Sequence, residues 1–170
     1  TIVLYTKIIA YSQWKCKTEG GKILSAINFE NIKLTDKESM ILLSLIFITE
    51  DMVHKKRLED SSESFGEDAL FAYRKLSCQI LENYIKKKRY LTLNIYELDY
   101  LLSAIEIGKD IVKENEERDI YGDALISLFN KTYKKHRKYK KQIKEFHSSN
   151  NEAEKVQILK KVYEQKLENT

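Results

Sequence analysis

The chain has 170 residues, with 42% hydrophobic and 33% charged side chains, a formal charge of +4, no proline and five glycines. That length suits one domain with its own core, and that composition excludes the disordered and fibrous classes. An all-β fold is also disfavoured, because its many tight turns draw on glycine and proline; long helices joined by polar loops are expected.

Two cysteines, Cys16 and Cys78, are too few for a disulfide framework and are expected to be reduced. No stretch reaches the roughly 20 apolar residues of a membrane span. The longest, Met40 to Ile48, is interrupted by Ser44 and runs into Glu50 and Asp51. No secretion signal is visible, which points to the cytoplasm, although numbering from Thr1 leaves room for a removed leader.

Residues 1–33 carry two apolar clusters, Ile2-Val3-Leu4-Tyr5 and Ile8-Ile9-Ala10-Tyr11, then Trp14, a turn at Glu19-Gly20-Gly21, and Lys22 to Ile32. Apolar spacing at 4, 8, 11 and 14 suits a helix, whereas the β-branched and aromatic content suits a short β-hairpin. Helix is the preferred reading.

From Leu34 the chain repeats itself. Leu34-Thr35-Asp36-Lys37-Glu38, Leu42-Leu43-Ser44, Ile46, Ile48, Asp51 and Val53 return 59 positions later as Leu93-Asn94-Ile95-Tyr96-Glu97, Leu101-Leu102-Ser103, Ile105, Ile107, Asp110 and Val112. Asp68-Ala69-Leu70 and Asp123-Ala124-Leu125 follow at a spacing of 55. Thr35 with Glu38, and Asn94 with Glu97, match the capping box. They predict helices over 36–58 and 95–118.

Gly66 and Gly122 mark return helices starting near Phe65 and Tyr121. The first carries Leu70, Tyr73, Leu76, Ile80 and Tyr84 on one face. The second carries Leu125, Phe129, Thr132, His136, Tyr139, Ile143 and Phe146, and is expected to run to about His147. A last helix, Glu152 to Leu167, has Val156, Leu159, Tyr163 and Leu167 as its stripe. The expected fold is all-α: tandem helical hairpins over 34–89 and 93–147 packed as a bundle, with a C-terminal helix. One helical domain, 1–170, then divides into an N-terminal segment (1–33), repeats 34–90 and 91–147, and a C-terminal part (148–170).

The strongest charge feature lies in the second repeat. Lys131, Lys134, Lys135, Arg137, Lys138, Lys140, Lys141 and Lys144 follow one another with no acid among them, and residues 120–149 carry +6 while the remainder of the chain carries −2. Three readings stand. With Tyr133, Tyr139 and His136 interleaved, the segment suits single-stranded nucleic acid, lysines on phosphates and aromatics on bases. It also suits an anionic membrane or acidic partner. The plainest reading is a solvated outer face, with Tyr139 and Ile143 turned to the core and the acidic Glu114-Asn115-Glu116-Glu117 folded back to pair with it.

Other chemistry finds little support. Glu50, Asp51 and His54 lie one turn apart, but the second copy replaces the histidine with Lys113, so no metal site is expected. Neither cysteine sits beside a histidine, and no glycine-rich phosphate loop or dinucleotide fingerprint is present. Ser44 and Ser103 read as small residues that let helices approach, and Asp51 and Asp110 as positions where helix faces turn to solvent. No cofactor is expected. The leading expectation is a non-enzymatic helical interaction protein, a regulator, adaptor or inhibitor acting by protein–protein contact. The alternative is a nucleic-acid-binding protein using residues 131–144.

Overall fold

The computed structural model describes residues 29–114 and 118–168, so the expectations for residues 1–28 and for the acidic stretch at 115–117 lie outside the described residues. In order, the elements are β1 (Phe29–Lys33), α1 (Asp36–Glu59), α2 (Glu67–Ile85), β2 (Tyr90–Asn94), α3 (Ile95–Glu114), α4 (Arg118–His136), a 3-10 turn (Arg137–Tyr139), α5 (Lys140–Ser149) and α6 (Glu152–Glu168). Among the described residues the fold is a helical bundle of two tandem hairpins with one small two-stranded sheet.

Both predicted caps form. The Thr35 hydroxyl accepts from the Glu38 backbone N–H while the Glu38 carboxylate accepts from that of Thr35. Asn94 and Glu97 do the same for α3. Leu93 and Leu98, on either side of that cap, are fully buried, as a hydrophobic staple requires.

The tail of the N-terminal segment is strand rather than helix. β1 pairs antiparallel with β2, from Phe29 opposite Asn94 to Lys33 opposite Tyr90. In β2, Leu91 and Leu93 are buried and Tyr90 is exposed, the alternation of a half-buried strand. The partner of β1 is thus remote in sequence, where local periodicity gives no sign of it.

This register reveals how the copies are related. Ile32 faces Leu91, and those positions are 59 apart, the spacing of the repeat itself. Equivalent residues therefore pair with each other, which places a pseudo-two-fold axis through the Ile32–Leu91 pair. The helix contacts obey that axis. α1 packs on α2 as α3 does on α4, α1 on α4 as α3 does on α2, and α1 meets α3 across it. At that crossing a β-carbon on Gly108 would run into the Leu45 side chain. The repeated unit is consequently a strand plus a hairpin.

The change of spacing finds its place in the structure, and three expectations are revised. The change from 59 to 55 falls between the paired helices: α1 ends at Glu59 and α2 begins at Glu67, whereas α3 ends at Glu114 and α4 begins at Arg118. Because α4 starts at Arg118, Gly122 lies within a helix, whereas Gly66 has φ +67° at the start of α2 with Val53 against the place of a β-carbon. The basic helix does not run unbroken to His147; it breaks at Arg137–Tyr139 and restarts as α5, which turns Ile143 and Phe146 inward. The α6 stripe is Val156, Leu159, Val162 and Lys166, with Leu167 exposed.

Candidate functional site: a basic segment and an exposed helix face

The eight cations of 131–144 separate into two groups. Lys131 Nζ lies 2.9 Å from both carboxylate oxygens of Glu38 and 3.0 Å from the Lys33 carbonyl. Lys135 pairs with Glu30 at 3.0 Å, and Lys138 approaches the same carboxylate at 3.6 Å. These three tie α4 and the 3-10 turn to β1 and the start of α1. Lys134, Arg137, Lys140, Lys141 and Lys144 are exposed and pair with no acid among the described residues.

The interleaved aromatics divide likewise. Tyr139 donates its hydroxyl to Glu30 at 2.8 Å, and burial together with that bond pushes its ionisation up. Tyr133 is exposed and stacks on Phe129, and the Lys109 ammonium lies over that Phe129 ring. His136 is committed elsewhere, so of the interleaved rings only Tyr133, through the part not covered by Phe129, is open to solvent.

A polar cluster not foreseen from sequence holds the bend. Asp99 on α3 accepts from His136 Nε2 at 2.8 Å and from His147 Nε2 at 2.7 Å, one imidazole from each side of the 3-10 turn. Burial alone would raise the Asp99 carboxyl, but the two imidazoles outweigh it and hold it below its ordinary range. Around it, His147 packs edge-on to Tyr100 and Phe146 stacks on Tyr96. Tyr100 donates to the buried Asp68, which Lys155 of α6 approaches at 3.8 Å. The imidazoles aim at opposite oxygens of one carboxylate, and no group of three or more His, Cys, Asp or Glu among the described residues is placed to hold a metal ion. Two signals pointed to this cluster: His136 lies within the basic run and His147 just beyond it, and Asp99 occupies the position of Met40 in the first copy.

The remaining candidates are scattered. His54 and Asp51 are exposed, with Asp51 paired to Lys55. His54 and Glu63 line an open cleft at the α1–α2 turn with Arg57, Leu58, Ser61 and Ser62. Cys78 is a free, exposed thiol. Asp110 is exposed, as expected of a helix face turning to solvent. Ser44 does not pack between helices as expected; it is exposed and donates to the Met40 carbonyl.

That exposed face of α1 is the second candidate. Met40 (55%), Phe47 (59%), Ile48 and Met52 (48%) all stand in solvent along it. The pseudo-two-fold supplies an internal control, because α3 carries the equivalent positions. There Asp99 stands for Met40 and Glu106 for Phe47, while Ile107 and Ile111, standing for Ile48 and Met52, are half-buried. The same helix position is thus acidic or partly covered in one copy and apolar and open in the other.

No helix among the described residues is long and apolar enough to cross a membrane. Comparison with protein-family models, curated proteins and solved structures finds no match.

Proposed function

We propose that this protein acts as a regulator, adaptor or inhibitor by binding protein through the outer face of α1, without turnover. The supporting observation is the contrast between the two copies. The equivalent face of α3 carries Asp99, which holds two histidines, and Glu106, with its isoleucines half-buried, whereas in α1 it carries Met40, Phe47, Ile48 and Met52 in solvent. Large apolar side chains gathered on one exposed face are characteristic of contact surfaces. The sparse cysteine usage suits the cytoplasm as the compartment. A photo-crosslinking amino acid at Ile48, activated in cell extract, tests the reading. A protein adduct is expected, with its yield cut by Phe47→Glu. Adducts that form equally well from a crosslinker on the far side of the molecule count against it.

A second reading has its own support: five exposed cations between Lys134 and Lys144 lack an acidic partner among the described residues. Nucleic acid is the partner that such a surface suits, through phosphate contacts. Replacing Lys134, Lys140, Lys141 and Lys144 with glutamine should flatten the salt dependence of oligonucleotide binding. An unchanged slope eliminates this reading.

A further inference from the structure

We infer that the outer face of α1 is closed by the same face of a second copy of this chain, the two helices crossing antiparallel at Ser44. The inference rests on the reading of α1 as a contact surface and names its partner. In a two-fold pair, a residue a given distance before the crossing point meets the one the same distance after it on the other helix. Seven residues before Ser44 stands Lys37, and seven after stands Asp51; both are exposed. Seven residues are about two helical turns, roughly 10.5 Å, so both side chains share the Ser44 face. An antiparallel pair therefore makes two Lys37–Asp51 ion pairs at once, whereas a parallel pair sets lysine against lysine and aspartate against aspartate.

The interior of that arrangement is equally complementary. Four residues to either side of Ser44 lie Met40 and Ile48, which meet as thioether against branched aliphatic, with Phe47 beside them. Ser44 is the smallest side chain on this face, so it lets the helices approach closely at the crossing. Its hydroxyl already donates to the Met40 carbonyl at 3.1 Å, so it brings no unpaired donor into the interface. Lys37 has no acidic partner within its own chain among the described residues, and Asp51 lies within reach of Lys55 at 3.0 Å.

Light scattering after size exclusion, from low to high micromolar concentration, tests the inference on the full chain. Dimers are expected, with Phe47→Glu weakening association by about tenfold or more. Lys37→Glu and Asp51→Lys should each weaken it several-fold, and the double variant should recover. Thermal unfolding of each variant separates lost association from lost folding, and recovery in the double variant has no explanation in a fold defect. A monomer at every concentration overturns the inference, as does a dimer indifferent to these three changes. The two readings also fail differently. A monomer that still gives Phe47-dependent crosslinks to another protein removes the self-pairing and keeps the contact surface; a monomer giving none removes both.

Discussion

Glu38 and Glu97 each serve twice, and in both copies the second service depends on a lysine that arrives from a distant helix. Each carboxylate caps its own helix and then accepts an ammonium, Lys131 for Glu38 and Lys166 for Glu97, both at 2.9 Å. The environments differ: the Lys131 side chain is 35% exposed and that of Lys166 only 4%. Burial lowers the pKa of Lys166, with Glu97 pulling against it. Lys166→Met leaves a buried carboxylate without its cation and should cost about 3 kcal/mol. Adding Glu97→Gln should recover much of that. Lys131→Met should cost less, about 1–2 kcal/mol, since the Glu38 carboxylate, only 5% exposed itself, keeps the Thr35 N–H and the Ser127 hydroxyl as donors. Urea midpoints of the three variants decide this.

Acid should unfold the protein through the same kind of group. Burial acts to raise Glu30, Glu38 and Asp99, but hydrogen bonds from Tyr139 and Lys135, from Thr35 and Lys131, and from the two histidines bring each below its ordinary value. A carboxyl depressed in the folded state contributes stability that is complete above its unfolded value and is lost as pH falls through its folded one. Melting temperature should therefore drop steeply below the ordinary carboxylate range, near 4.5 for the two glutamates. Glu50 runs the other way. Burial raises it against the pull of Arg74 and His54, and its Oε1 is buried without a hydrogen-bond partner among the described residues. Its charge is a liability at neutral pH, so Glu50→Gln should raise the melting temperature there, with the gain fading as acid protonates the wild-type side chain.

At the scale of elements, what was legible in the sequence was whatever is decided within one turn of helix. Thr35 with Glu38 and Asn94 with Glu97 specify caps locally, and α1, α3 and α6 begin where those signals and the polar break at Asn150-Asn151 place them. The bend at Arg137–Tyr139 was not legible, because its causes are Asp99 and Glu30, held on other elements. The same is true of α6, where Lys166 occupies an apolar stripe only because Glu97 and Gln79 wait for it. Of the candidate site, the run of cations could be read directly, but which of them are free depends on those remote acids. The exposure of Met40 and Phe47 could not be read at all, since an apolar run predicts burial. Asp99→Ala tests the bend. It should speed hydrogen exchange across α5 while α1 and α2 stay protected, since only the clamp joining α3 to both sides of the bend is lost. Gly66→Ala tests the first turn. Its positive φ and the Val53 side chain both resist a β-carbon, so a loss of about 1–3 kcal/mol is expected, and relieving Val53 by Val53→Ala should restore only part of it.

The whole molecule is organised by the axis through Ile32 and Leu91, and this decides whether the copies are independent. Neither copy can finish its own core. β1 finds its only strand partner among the described residues in the other copy. α1 packs on both α3 and α4, α2 packs on α3, and α6 of the C-terminal part closes over α2. Leu42, Ile46, Leu98, Leu101 and Ile105, fully buried in the joined core, would face water in a separated half, and a hairpin of about 55 residues has little other apolar surface to bury. Chains cut in the connection between Ile85 and Tyr90, giving residues 1–86 and 87–170, should each lack a cooperative thermal transition when alone. Mixed in equal amounts, they should recover helicity by circular dichroism and melt together. A sharp transition in either half by itself would show that the duplication joined two self-sufficient units, and that the Ile32–Leu91 pairing is only a point of contact between them.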